Sequence, residues 1–207
     1  MKNTDLRVAG VRVVVMCKAP VAGNVKTRLT TEFSFIRAAE LHAAMASTVI
    51  ERAKHLFEDV VIAADDPEHL FFRSFDLPVI SQGEGGLGDR MHRLIGMAFC
   101  GGLDAVLVVG TDSPHMKDER FIEAASLLRE NDVVLGPVED GGYDLVGMSA
   151  AHPIFEDVEW STPQVLEQTM ANIHRLNLSS KLLDISFDVD FPADVERARK
   201  AGWNIEL

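Results

Sequence analysis

The stretch Cys17–Leu29, CKAPVAGNVKTRL, holds Lys18, Lys26 and Arg28 with no acid among them. It directly follows the apolar run Val11–Met16, in a chain whose formal net charge is −12. Between Leu6 and Thr31 five residues are basic and none is acidic. Lys and Arg in such a loop have the chemistry of a phosphate grip. The plainer reading is a solvated basic face. Carboxylates stand behind other apolar runs. Asp112 follows AVLVV in GTDSP, Asp140 lies in EDGGYD, and Asp188 and Asp190 lie in FDVDFP. Hard cations such as Mg2+ are held through one or two carboxylates, waters and phosphate oxygens. That makes Asp112 a metal candidate. The simpler alternative is that Asp112 or Ser113 caps the next helix. Gly141 and Gly142 allow close backbone approach, or mark only a tight turn. Asp188 and Asp190 are two apart, so a regular strand would put them on one face. Asp190 could instead complement the helix start at Pro192.

Taken together, a basic loop, separated carboxylates and glycine-rich turns suit metal-assisted transfer from a nucleotide. Other chemistries fit less well. GNVKT lacks the glycine directly before lysine that a P-loop needs, and no G-x-S-x-G or H-E-x-x-H occurs. GEGGLG (Gly83–Gly88) is a literal G-x-G-x-x-G before a helical pattern, which keeps an NAD-binding oxidoreductase as an alternative. A non-catalytic nucleotide-binding module is a further alternative, since only Asp140 or Asp144 offers an evident general base. His42, His55 and His92 fall in helical stretches and read as ordinary side chains.

The elements that must position these loops alternate. Strands are expected at Val11–Met16, Asp59–Ala64, Leu77–Ile80, Ala105–Val109 and Asp132–Leu135. Helices are expected at Phe35–Leu56, Leu87–Cys100 and Lys117–Arg129. Tyr143–Met148 reads as a strand that could break the parallel order. WSTPQVLEQTMANIHRL reads as a helix capped by Ser161 or Thr162, KLLDISFDVD as a late strand, and PADVERARKAG as a last helix. This rhythm implies an α/β fold with a mostly parallel sheet. Ligands then sit at the carboxyl ends of the strands, where the basic loop, GTDSPHM and GPVEDGGYD could line one crevice, joined by Asp188 and Asp190 if their strand runs that far.

The 207 residues suit one domain, 1–207. An acidic chain with a sequence pI near 4.9 argues against nucleic acid as partner. No run reaches the ~18 apolar residues of a membrane span. The N-terminus makes a poor signal peptide, and two cysteines make no disulfide framework. A cytoplasmic, reducing location is expected, with Cys17 as a buried small hydrophobe.

The motifs KAPVAGNVKTRL, GLGDRM, VVGTDSP, VLGPVEDGGYDLVG, WST and FDVDFPADV occur in that order over nearly the whole chain. This pattern closely resembles the DUF2064 family, glycosyltransferase-like proteins of the nucleotide-diphospho-sugar transferase superfamily (GT-A fold). It is more distantly similar to molybdenum-cofactor guanylyltransferase and phospholactate guanylyltransferase. The resemblance implies a three-layer α/β/α sandwich with a mixed sheet, and a transferase using a nucleotide-sugar with Mg2+ or Mn2+. Its alternative is nucleotidyl transfer from an NTP to a phosphorylated acceptor. Lys18, Gly23, Lys26 and Arg28 would then hold phosphates. Gln82, Gly86 and Gly88 would lie near base and ribose. Asp112, with Asp188 or Asp190, would bind the metal. Asp140, Gly141 and Gly142 would face the sugar or an unknown acceptor, and Asp112, Asp140 and Lys26 are the catalytic candidates. The family usually carries an aromatic residue where Asp144 stands and Thr where Phe191 stands, and Trp160, Ser161 and Thr162 are typical of it.

Overall fold

Alternation along the first strand sends Val13, Val15 and Cys17 to one side of the sheet and Val14 to the other, all of them buried. A strand buried on both faces requires a helical layer on each. The computed structural model, which describes residues 7–204, has those layers.

The strands are β1 (Val8–Cys17), β2 (Phe57–Ala64), β3 (Val79–Ser81), β4 (Ala105–Val109), β5 (Val133–Pro137), β6 (Tyr143–Met148) and β7 (Ser180–Leu182). The helices are α1 (Phe35–Leu56), α2 (Leu87–Phe99), α3 (Asp118–Leu127), α4 (Val165–Arg175) and α5 (Pro192–Lys200). The seven strands are ordered β3-β2-β1-β4-β6-β5-β7. Only β6 runs antiparallel to its neighbours. The fold is the expected three-layer α/β/α sandwich with a mostly parallel mixed sheet.

One face packs β1, β2 and β4 against α1 and α3, with Ile50, Phe57 and Phe121 fully buried. The other packs the sheet against α2 and α4 through Met91, Ile95 and Ile173. α5 closes on α1 through Val195, Ala198 and Trp203. Burying each such side chain is worth about 1.5–3 kcal/mol, so the loops at the strand ends grow from a rigid base. From β1 the chain winds out through β2 to β3, then crosses back to β4 on the other side of β1. The crevice outside the ends of β1 and β4 is therefore the topological switch point, where such sheets bind ligands.

Three sequence expectations are corrected. The helix after Trp160 is capped by Gln164, not by Ser161 or Thr162. Ser161 takes a left-handed conformation, φ 64°, and the Thr162 hydroxyl donates to the Glu159 carbonyl at 2.7 Å. KLLDISFDVD is not one strand. It pairs over Ser180–Leu182 and once more at Ser186, then leaves the sheet. What draws it away is the Asp112 loop, whose carbonyl accepts the Val189 amide at 2.8 Å. The third helix is shorter than expected, with Lys117 as its N-cap. No described helix is long and apolar enough to cross a membrane.

Candidate functional site

The loop after β1 is shaped by local hydrogen bonds. The Ala19 amide donates to Asp65 Oδ1 at 2.7 Å, and His42 Nε2, from α1, lies 2.9 Å from the Lys18 carbonyl oxygen. Because that partner can only accept, Nε2 carries the proton. Burial pushes the imidazole below its ordinary pKa. Lys26 then adopts a left-handed conformation (φ 46°, ψ 42°) ahead of the helical turn Thr27–Thr31, which Leu29 pins into the core. Such a conformation is uncommon for a residue with a Cβ. Here it turns the Lys26 side chain inward, leaving it only 6% exposed.

Two chambers open at the ends of β1 and β4. The first, of about 590 Å³, is bordered by Lys18, Lys26, Arg28, His42, Gln82 and Arg90. The second, of about 560 Å³, lies over β6 and is bordered by Asp140, Tyr143, Asp144, Trp160 and Asp188. They share a seam that includes Arg28, Gly110, Asp112, Trp160, Ser161 and Asp190.

Along that seam Lys26 Nζ lies 2.9 Å from Asp112 Oδ1 and 3.0 Å from Asp190 Oδ1, while Arg28 reaches Asp190 Oδ2 at 2.7 Å. Burial works against the Lys26 ammonium, but the two carboxylates hold its pKa above the usual value. Burial also disfavours charge on Asp190, yet Lys26 and Arg28 pull its pKa down. Asp188 is different. Burial first, and the Asp112 charge second, push it up to about 7. Its Oδ1 lies 2.6 Å from Ser113 Oγ, which is also 2.9 Å from the Phe187 carbonyl oxygen. The Ser113 hydroxyl has one proton and cannot donate to both. A protonated Asp188 donating to Ser113, which donates to Phe187, satisfies every group.

Among the described residues no three His, Cys, Asp or Glu side chains are grouped to hold a metal. The expected set of Asp112, Asp188 and Asp190 is thus not a ready ligand cage. Both Asp190 oxygens are taken by Lys26 and Arg28. Asp112 and Asp188 remain as a pair of carboxyl groups near enough for the Asp112 charge to raise the Asp188 pKa, a donor set that, once Asp188 gives up its proton, suits a hard cation completed by phosphate and water.

Other expected residues are placed as follows. Asp140 and Gly142 border the second chamber, and Asp140 Oδ1 accepts the Gly142 amide at 2.9 Å. Gly141 sits behind them with φ 88°. A Cβ there would lie 2.1 Å from the Pro163 carbonyl oxygen, so this glycine permits the close approach of the Trp160–Pro163 loop. Gln82 borders the first chamber, but its amide is committed. It donates to the carbonyls of Ala63 (2.9 Å) and Cys17 (3.3 Å) and accepts from Arg90 at 2.6 Å. Gly23 is exposed and borders neither chamber. Gly86 caps α2, and its amide is taken by Asp89 Oδ2 at 2.9 Å. Gly88 packs under Trp160 and Phe155. This glycine turn follows β3 at the sheet's edge, and two of its amides, Gly83 and Gly86, are already taken by Ser81 Oγ and Asp89 Oδ2, which counts against a dinucleotide turn.

Three contributors escaped sequence reading. Arg90 adds a fourth cation to the first chamber. His42 fixes the Lys18 carbonyl, and Ser113 holds Asp188. Arg90 was detectable as the arginine of GLGDRM; nothing in the sequence marks the other two.

The fold is shared with known structures. A protein from Desulfovibrio desulfuricans G20, provisionally described as a nucleotide-diphospho-sugar transferase, is 26% identical. The match covers 89% of this chain and 84% of that one, with a TM-score of 0.83. CMP:2-keto-3-deoxy-manno-octonic acid synthetase complexed with CTP (13% identity, 92% and 97% covered, TM-score 0.61) shares the fold. So does 4-diphosphocytidyl-2C-methyl-D-erythritol synthase from Anaerococcus prevotii DSM 20548 (12%, 92% and 98%, 0.58). No curated protein matches the chain. The family model described as "uncharacterized protein conserved in bacteria" matches residues 48–162, more than half the sequence, with Asp112 and Trp160 inside the match; the chain belongs to that family, DUF2064.

Proposed function

We propose that the protein is a nucleotide-dependent transferase that takes a nucleotide-sugar as donor and works with Mg2+ or Mn2+. The observation that carries this reading is the seam. A chamber with four cationic side chains meets a carboxylate-lined chamber at Asp112. The donor's phosphates would lie against Lys18, Lys26, Arg28 and Arg90, with the sugar projecting past Asp112 into the second chamber. Transfer would break the bond between the sugar's anomeric carbon and the phosphate oxygen. The acceptor oxygen would bond to that carbon while the nucleoside diphosphate leaves with the bonding electrons, and the acceptor hydroxyl would lose its proton to Asp140. The cation, held by Asp112 and Asp188, would offset charge on the leaving phosphate. Lys26 and Arg28 would do the same from the first chamber. A cytoplasmic setting suits such soluble substrates.

A second reading, nucleotidyl transfer, is favoured by the CTP complex of one structural relative. There the bond broken would be at the α-phosphorus, with pyrophosphate leaving. An oxidoreductase reading is disfavoured by the occupied Gly86 amide.

A thermal-shift panel of NTPs, NDP-sugars and NADH, with and without Mg2+ or Mn2+, separates these readings, because a ligand of the folded state raises the midpoint. A metal-dependent shift with one nucleotide-sugar is expected. A shift confined to a triphosphate would move the assignment to nucleotidyl transfer, and no shift with any nucleotide would reject it.

A further inference from the structure

The two chambers differ in charge as well as place. Five carboxylates border the second chamber, from Asp112, Asp140, Asp144, Asp188 and Asp190, against one guanidinium, Arg28. Arg28 is already spent on Asp190, Lys26 is shared between Asp112 and Asp190 from the first chamber, and the protonated Asp188 adds no charge, so Asp140 is the acid left without a cation and no cation is left for an anion. Arg120, which neutralises Asp144 at 3.0 Å, does so from behind and does not border the space. Asp144 is 95% buried and paired with Arg120, so it gives the chamber no cation to hold an anion.

The rest of the wall is apolar. Leu87, Met91, Leu145, Val146, Tyr143 and Trp160 border the same space. Tyr143 and Trp160 stand edge to face with centroids 6.3 Å apart. The loop holding Trp160 is set by Gly141, whose carbonyl accepts the Leu166 amide at 2.9 Å, and by the strained Ser161. Strain of this sort persists where surrounding contacts enforce it, often at ligand clamps.

We propose that the second chamber selects a ligand that carries no phosphate or carboxylate: an uncharged or cationic molecule with an apolar or ring face for Tyr143 and Trp160, and hydroxyl or amine groups for the carboxylates. Calling that ligand the acceptor rests on the nucleotide reading; its chemistry rests on the chamber alone. On the glycosyl-transfer reading, the acceptor is then an unphosphorylated molecule.

Tyr143 is the only tyrosine in the chain, so its ring NMR signals report on this chamber alone. The probes are phenyl β-D-glucopyranoside and its 6-phosphate, titrated without nucleotide and with EDTA present, up to about 20 mM, well beyond a millimolar Kd. The neutral glucoside is expected to shift Tyr143 saturably, and the phosphate ester to bind about tenfold more weakly, a difference of about 1.4 kcal/mol. Asp140→Lys, at an exposed position, should narrow that gap. An equal or tighter response to the phosphate ester, no Tyr143 response to either probe, or an unchanged gap in Asp140→Lys would overturn the proposal. Failure of the nucleotide reading would look different: nucleotides would bind nowhere, while the glucoside still moved Tyr143.

Discussion

Lys26 Nζ lies between Asp112 and Asp190, at 2.9 and 3.0 Å, with a side chain almost closed to water. An ammonium thus stands where two acids converge beside the switch point. Removing one partner of a buried ionic group leaves the others uncompensated. Lys26→Met should therefore cost about 1–3 kcal/mol in stability and abolish the nucleotide-induced thermal shift. Added Mg2+ or Mn2+ should stabilise the variant more than the native protein, because Asp112 then has lost its cation and Asp190 keeps only Arg28. Urea midpoints with and without metal measure this. Equal metal effects in both proteins would mean that Lys26 does not occupy a cation's place.

Asp188 ties stability to pH. Its folded pKa, about 7, stands above the ordinary carboxylate value of 3.8, so the folded state binds the proton more tightly than the unfolded one. The resulting stabilisation is complete below the unfolded value, declines as pH rises, and is gone above about 7. Asp188→Asn removes the titration. In metal-free buffer the variant should gain about 2–3 kcal/mol on the native protein between about pH 5 and pH 8. Paired urea titrations give the difference, and a gap that stays constant with pH would contradict the buried carboxyl.

The elements were legible because periodicity and burial coincide in them. Phe35–Leu56, Ala105–Val109 and Tyr143–Met148 have the expected bounds, and the antiparallel setting of β6 was foreseen. The site was legible as loops but not as contacts. Two acids two residues apart suggested one strand face, yet the Val189 amide bonds to Asp112 and pulls that segment out of the sheet. Asp188 and Asp190 then separate into a Ser113 partner and a Lys26 partner. Spacing cannot reveal such pairings, since they join residues 75 and 164 positions apart. His42 escaped for the same reason: on its helix it is one apolar-face residue among several, and only the fold brings Lys18 to it.

Arg120 and Asp144 form a buried pair at 3.0 Å, and burial lifts Asp144 to about 6 even against the guanidinium. Breaking such a pair from one side is costly, whereas replacing both partners with apolar groups is often near neutral. Arg120→Met alone should lose about 3 kcal/mol. The double variant Arg120→Met/Asp144→Leu should recover part of it. Recovery should be incomplete, because Arg120 also donates to the carbonyls of Asp184 and Pro137. Denaturant midpoints of the two single variants and the double variant test the coupling; strictly additive losses would show that the pair acts as two independent residues.

Gly141 separates a structural duty from a chemical one. Its φ of 88° already disfavours any side chain, and a Cβ would sit 2.1 Å from the Pro163 carbonyl oxygen. The left-handed conformation alone costs an alanine about 1–2 kcal/mol, and the clash must displace the Trp160–Pro163 loop as well. Gly141→Ala should therefore lose at least about 2 kcal/mol and weaken the Tyr143 response to the neutral glucoside. Nucleotide affinity, governed by Lys18, Lys26, Arg28 and Arg90 in the other chamber, should change by less than about threefold, which corresponds to under 1 kcal/mol. If nucleotide affinity instead collapsed while the fold stayed intact, Gly141 would be gripping the donor through its backbone, and its place would be in the first chamber's chemistry.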